Sequence, residues 1–285
     1  MTERARYKLV RRTSASRSST AADVDVATAT NDGLARRRFF TRVLGGAAAF
    51  ALAGCQKLSQ SEWFPKVLGV GEKLSSTVGT FVVGRKAMAQ EFGEADLSPS
   101  FRSNGTARPQ TADYDALLAN NFADWRLAID GLVAEPKRYS LAELRALEAR
   151  TQITRHDCVE GWSAIGKWKG VRLSTLLEAA RPTTSARFVV FHCADPMNDD
   201  GTDPYYESID MDDAWHPQTI LAYDLNDKPL PVGNGAPLRL RVERQLGYKH
   251  AKYVMRIELV DSFAKIHGGN GGYWEDQGYQ WYAGI

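Results

Sequence analysis

Three cysteines in 285 residues are too few for a disulfide framework. Cys55, Cys158 and Cys193 form no C-x-x-C, haem-attachment or zinc-ligand spacing, so each is read singly. Charge of one sign is also missing. Lys plus Arg total 36 against 34 Asp plus Glu, and a net charge of +2 provides no global field to draw in nucleic acid. No apolar run reaches the roughly 18 to 20 residues that cross a bilayer as a helix; the longest, Val43 to Ala53, has about 11. No fixed-period repeat, dinucleotide fingerprint or four-cysteine cluster pattern occurs. What remains is globular composition, 44% hydrophobic and 25% charged.

The short apolar run reads as an address. Arg36-Arg37-Arg38-Phe39-Phe40-Thr41 precedes it and Leu52-Ala53-Gly54-Cys55 closes it, the order of an export signal. The arginines followed by x-Phe-Phe resemble the twin-arginine motif, whose translocase carries folded proteins. Leu-Ala-Gly-Cys resembles the lipobox of bacterial lipoproteins, which implies cleavage before Cys55, acylation of its thiol and a lipid anchor. Met1 to Ala35, rich in Arg, Ser, Thr and Ala, resembles disordered sequence. The expected division is an export signal over 1–54, a helical linker over 55–100 and one domain over 101–285.

Within that domain, Trp125 to Gly131 reads as a strand ending in an Asp-Gly hairpin signal. Ser140-Leu141-Ala142-Glu143 is a capping box and predicts a helix over 141–149. Strands are expected over 151–157, 188–191, 219–223, 238–242 and 253–260, and a short helix over 173–180 that stops before Pro182. Strands outnumber helices, so the expected fold class is α+β with a β-rich mixed sheet.

Cys158 follows a strand and opens a loop, with Arg155 and His156 just before it. Positive neighbours lower a thiol's pKa. Three readings stay open: covalent catalysis with His156 as base, metal coordination, or an inert buried cysteine.

The surrounding pattern resembles the oxidoreductase molybdopterin-binding family, which includes sulfite oxidases and the periplasmic methionine sulfoxide reductase catalytic subunit. The likeness runs over roughly Phe101 to Val260. Its segments are Trp125 to Gly131, Cys158-Val159-Glu160-Gly161-Trp162-Ser163, Trp168 to Leu173, Thr219 to Tyr223, Gly233 to Leu240, and Gly247-Tyr248-Lys249-His250-Ala251-Lys252. The resemblance implies a sulfite oxidase-like molybdopterin-binding fold and a molybdenum-molybdopterin cofactor, with Cys158 as the metal's thiolate ligand. It also implies that Asn104, Asn234, Arg239, His250, Ala251 and Lys252 contact the phosphate or pterin, and that Cys193, or Asp195 beside it, lies near the cofactor. Without the resemblance, Arg239 and Arg241 read as an outward strand face, His250 and Lys252 as a solvated turn, and Cys193 as a core thiol.

Sulfite oxidases follow their cysteine with a basic pair; here the loop is Glu160-Gly161-Trp162-Ser163, which suits a dianion poorly. The expected reaction is therefore two-electron oxygen removal from an S-oxide or N-oxide, a small molecule or oxidised protein methionine. Sulfite oxidation and a metal-free binding module on the same fold are the alternatives. Trp162 and Trp168 are candidates for a substrate funnel or for core. By type, His156, His192, Asp195, Tyr205 and Tyr206 are candidate proton donors. With no haem or cluster motif in the chain, electrons must come from a separate partner such as a membrane haem protein or cytochrome. The aromatic segment Tyr273 to Tyr282 is a candidate for docking or packing, and His267 to Gly272 reads as a flexible loop.

Overall fold

The computed structural model describes residues 87–198 and 203–285, all within the compact unit Glu72–Ile285. The export signal, Cys55 and most of the expected linker lie outside the described residues. The described end of that linker departs from the helical expectation. Residues 87–92 form no helix, with Glu91 bridging Thr154 and the Phe92 N–H donating to the Ile153 carbonyl at 2.9 Å, and only Glu94–Asp96 form a 3-10 turn. An unpaired edge strand offers free backbone groups, and this segment satisfies them.

After α1 (Ala112–Ala119), β1 (Arg126–Gly131) alternates an exposed Arg126 with buried Leu127 and Ile129, the period expected of a half-buried strand. The Asp130-Gly131 pair does not make the expected hairpin turn. The chain runs on before returning as β2 (Lys137–Ser140), because β1 also pairs in parallel with β10 (Val254–Val260). The capping box forms: the Ser140 hydroxyl accepts from the Glu143 N–H and the Glu143 carboxylate accepts from the Ser140 N–H at 2.7 Å. The helix it starts, α2 (Leu141–Ala146), ends three residues early because β3 (Ala149–Cys158) claims the chain.

Next comes β4 (Trp162–Arg172), an 11-residue strand that propensity conceals behind Gly166 and Gly170. Gly170 is required there: a Cβ would stand 2.1 Å from the Leu221 carbonyl oxygen, where β4 crosses close to β7 (Ile220–Leu225). The helix expected over 173–180 is present as α3 (Leu173–Ala180), with Leu173, Leu176, Leu177 and Ala180 buried. Then follow β5 (Phe188–Pro196), β6 (Pro204–Asp210), α4 (Met211–Ala214), β7, β8 (Lys228–Pro229), β9 (Arg239–Arg241), β10 and α5 (Tyr273–Asp276).

The strands form two sheets among the described residues. One runs β2-β1-β10-β5-β6; the other runs β3-β4-β7-β8, with β9 on β7. A continuous apolar cluster draws on both through Ile129, Phe191, Ile257, Leu221 and Leu240, together with Leu176 and Leu177. The other side of the second sheet carries Trp168, Ile220 and Ala222. The α+β, β-rich expectation is met. Among the described residues no helix is long and apolar enough to cross a membrane. The expected flexible loop 267–272 is tied instead, since the Asp276 carboxylate accepts from Gly268 N at 2.9 Å and from Asn270 N at 3.1 Å.

Candidate functional site

Every second residue of β3 points inward: Gln152, Thr154 and His156 are buried, and Cys158, two further on, is half-buried at the strand end. A turn closed by the Gly161 N–H on the Cys158 carbonyl at 3.0 Å sends the chain back as β4. Cys158 thereby reaches the wall of a cleft that also includes Asn104, Asp195, Tyr205, His250 and Lys252.

The electrostatics around Cys158 differ from the sequence expectation. Arg155 pairs with Asp157 at 3.0 Å. Burial pushes the Cys158 thiol up, and the Glu160 carboxylate adds to it, against the Glu160 backbone N–H, Arg239 and Arg102. His156 does not serve as its base. The ring is 1% exposed, and its Nδ1 accepts from the Arg241 guanidinium at 3.0 Å, which places the ring proton on Nε2. Burial, then Arg239, His250, Arg241 and Lys252, hold it well below the usual histidine range, so the ring is neutral. It stands behind the cleft wall. A thiol held protonated with no free base is a poor nucleophile, whereas a metal ion displaces the thiol proton outright.

Arg239 and Arg241 do not form an outward face; both are 0% exposed. Arg241 is balanced by Glu243, equally buried. Arg239 has no carboxylate within ion-pair distance among the described residues. It donates to the Asn234 carbonyl and to Asn104 Oδ1, both at 3.2 Å, and its Nε has no partner. Burial first, and Arg241 next, lower it to about 9. Both guanidinium groups lie over the Trp168 ring, at 5.4 and 4.5 Å, so this tryptophan is core and not funnel wall.

Lys252, also buried, spends its ammonium on three carbonyls, those of Asn104 at 2.7 Å, Thr106 at 2.5 Å and Gly233 at 2.9 Å. Burial, reinforced by Arg239, lowers it to about 7. Burial raises Asp195 to about 6, and its Oδ1 is unpartnered. His250 donates through Nε2 to the Gln245 carbonyl at 3.0 Å, leaving Nδ1 a free acceptor, and Asn234 Nδ2 is a free donor. Ala251 contributes main chain, its carbonyl accepting from Leu240 N at 2.8 Å.

The fold sets Asn104, Asp195, His250 and Lys252 in the cleft wall with Cys158, bridges Asn104 and Asn234 through Arg239, and puts Ala251 in the apolar cluster. It leaves Cys193 in the apolar core, outside the cleft wall, with its thiol well above the ordinary range through burial. Two buried cations without acid partners, beside unpaired donors and acceptors, form a site for an anion carrying a polar ring system. A phosphate-bearing pterin fits these donors, acceptors and cations. No cluster of three His, Cys, Asp or Glu able to hold a metal occurs among the described residues, so a metal at Cys158 must draw its other donors from the group that brings it.

Sequence reasoning missed the aromatic part of the cleft, Tyr248, Trp274 and Tyr279. Tyr248 sits inside a segment already singled out for its neighbours; Trp274 and Tyr279 belong to the aromatic segment singled out for docking or packing, but only the return of the C-terminal chain brings them to the cleft. That segment also packs: Trp281 meets Phe188 and Phe263 at ring distances of 5.3 and 5.7 Å.

Comparison with known proteins gives the following. Residues 115–266 match the family model of the oxidoreductase molybdopterin binding domain. The provisionally named protein-methionine-sulfoxide reductase subunit YedZ1 of Azospira oryzae is 36% identical over 252 residues, 88% of each chain. The protein-methionine-sulfoxide reductase catalytic subunit MsrP of Ralstonia nicotianae is 35% identical over 178 residues, 60% of this chain and 53% of that one. Among solved structures, the sulfane dehydrogenase SoxCD from Paracoccus pantotrophus matches with 24% identity and a TM-score of 0.45, over 49% of this chain and 39% of that one.

Proposed function

The chain belongs to the family of oxidoreductase molybdopterin-binding domains, an enzyme of the molybdenum-molybdopterin class, and from that premise we propose that it removes oxygen from S-oxides, with methionine sulfoxide in oxidised protein as the substrate class. Cys158 is the proposed metal ligand; Arg239, Lys252, Asn104 and Asn234 are the proposed holders of the phosphate and pterin. When bound, the cofactor supplies two-electron oxygen-atom exchange. The chain's own contribution is to supply a soft thiolate, balance anionic charge in a buried place and present a shaped mouth to the substrate.

The observation that carries the substrate reading is the character of that mouth. Val159, Met197, Trp274 and Tyr279 contribute apolar and aromatic surface, and the charged side chain next to Cys158 in the wall is the acid Glu160. Once the buried cations are balanced by the cofactor's own anionic groups, such a mouth receives a neutral sulfoxide on a thioether side chain, and Glu160 disfavours a dianion such as sulfite. The names of the relatives point the same way.

The proposal extends to place and partners. The Arg36–Arg38 and Leu52–Cys55 patterns support export by the twin-arginine route and a lipid anchor at Cys55 on the periplasmic side of the membrane. Electrons come from a separate carrier, a membrane haem protein or a cytochrome. The test is molybdenum analysis by mass spectrometry of protein from a host that makes the cofactor, comparing wild type with Cys158→Ser, followed by turnover of methionine sulfoxide and of sulfite with dye mediators. Near-stoichiometric molybdenum, lost in the variant, with sulfoxide turnover well above sulfite turnover is expected. Folded wild type without molybdenum, or with sulfite as its better substrate, overturns the proposal.

A further inference from the structure

Behind Tyr205 and Tyr248 in the cleft wall lies a buried ionic cluster that the cofactor site does not use. The Lys249 ammonium stands between two carboxyl groups, Glu207 Oε1 at 2.5 Å and Glu275 Oε1 at 2.6 Å, and all three side chains are 0–1% exposed. Two acids against one base leave a surplus negative charge that an interior cannot solvate, and such a site binds a proton instead. The acids also crowd one another. A Cβ on Gly272 would lie 2.1 Å from Glu275 Oε2 and 2.8 Å from Glu207 Oε1, so both carboxyls face the same glycine from close by, and Glu275 Oε2 has no hydrogen-bond partner.

The groups around Glu207 come from four elements. Lys249 and Tyr248 come from the turn over 247–249, Glu275 from α5, Tyr205 and the Ser208 N–H from its own strand β6, and Cys193 and Asp195 from the neighbouring β5. Lys249 lies 5.4 Å over the Trp281 ring, which covers the cluster. Burial drives the Glu207 carboxyl well above the usual range, with Lys249 opposing and Glu275 assisting. One exit leads to the cleft. The Tyr205 hydroxyl belongs to the cleft wall, donates to the Tyr248 carbonyl at 2.6 Å and stands 3.5 Å from Glu207 Oε2, so it relays a proton by turning its own from the Tyr248 carbonyl to the cleft and accepting one from Glu207.

We propose that the Glu207–Lys249–Glu275 cluster stores one proton and hands it through the Tyr205 hydroxyl to the oxygen of an S-oxide in the cleft. This rests on the S-oxide reading above. In balance, one sulfoxide, two protons and two electrons give one thioether and one water: the S–O bond breaks and the oxygen leaves as water. The electrons come from the reduced cofactor, refilled by a one-electron carrier protein. One proton comes from the cluster, the other from solvent, and solvent reprotonates the cluster after turnover. Tyr205 is the relay; Glu207, Lys249 and Glu275 act through it.

The experiment uses the cofactor-loaded enzyme and two readouts. The first is the infrared carbonyl stretch of a protonated carboxylic acid at about pH 8, where Asp195, at about 6, is ionised, and it needs no substrate. It is expected in wild type and lost in Glu207→Gln; Glu275→Gln, which leaves one acid paired with Lys249, is expected to lose it too and serves if the first variant misfolds. The second is the pH profile of kcat with methionine sulfoxide. Tyr205→Phe should keep the band and the molybdenum, lower kcat at least tenfold with KM unchanged, and let kcat fall about tenfold per pH unit where the wild-type profile is flat. A wild type without the band, a band that survives both glutamine variants, or a Tyr205→Phe enzyme with wild-type kcat and profile overturns the proposal. A wild type inert to every S-oxide overturns the S-oxide reading and the delivery step together, while the band still decides whether the proton is stored.

Discussion

Lys252→Met in the cofactor-free protein puts the buried charge to a direct test. Lys252 is 6% exposed, and burial together with Arg239 brings it from 10.5 to about 7. Above about pH 7 the folded chain has released this proton while the unfolded chain keeps it until about 10.5, so the unfolded state binds more protons and stability rises with pH across that window. Between pH 7 and 9, below the value of about 9 for Arg239, Lys252 accounts for a gain of about 2 kcal/mol at roughly 1.36 kcal/mol per unit. Methionine keeps an unbranched stem of similar length and has nothing to titrate. Urea unfolding of wild type and variant at pH 7, 8 and 9 gives two curves whose difference cancels the groups that do not feel Lys252; Asp195, which does, titrates at about 6, below this window. The expected result is a gap that shifts by about 2 kcal/mol over those two pH units, and a wild-type curve that loses its rise once the anionic cofactor is loaded and holds the ammonium charged. Parallel curves would refute the reasoning, because they mean that Lys252 keeps its proton without an anion.

Asp195 has the opposite sign. Burial raises it from 3.8 to about 6, so the folded state binds the extra proton, and wild type should lose about 2 kcal/mol relative to Asp195→Asn as pH rises from 4 to 7, read by the same urea series. Arg241→Met leaves Glu243 charged and buried without its partner and should cost about 3–5 kcal/mol, whereas a cost under about 1 kcal/mol would mean that Glu243 takes up a proton at little expense. Gly170→Ala forces a methyl group against the Leu221 carbonyl oxygen and should destabilise by about 3 kcal/mol, seen as a lower Tm in calorimetry; an unchanged Tm would show that the two strands part freely.

The sequence by itself determined the features that depend on near neighbours along the chain. The capping box at Ser140 to Glu143 and the helix Leu173–Ala180 formed because their hydrogen bonds and apolar spacing close within one or two turns. The ordered segments from Cys158 to Lys252 marked residues that the fold brings near one another around the cleft, since each segment carries its own spacing. The Asp130-Gly131 hairpin failed, and the strands Trp162–Arg172 and Pro204–Asp210 stayed hidden, because pairing with distant strands outweighs local propensity. Only the tertiary structure decided the electrostatics. It gave Arg241 a buried carboxylate and Arg239 none, took His156 out of service by pointing Arg241 at its Nδ1, and raised the Cys158 thiol where sequence neighbours argued for lowering it. It also placed Glu275, at the far end of the chain, against Glu207 and Lys249. The physical reason is that the cost of a charge depends on burial and on what lies within a few ångströms in space; Glu243 and Glu160 are sequence neighbours of Arg241 and Cys158, but only the packing of distant segments buries those two groups and brings the other charges to them.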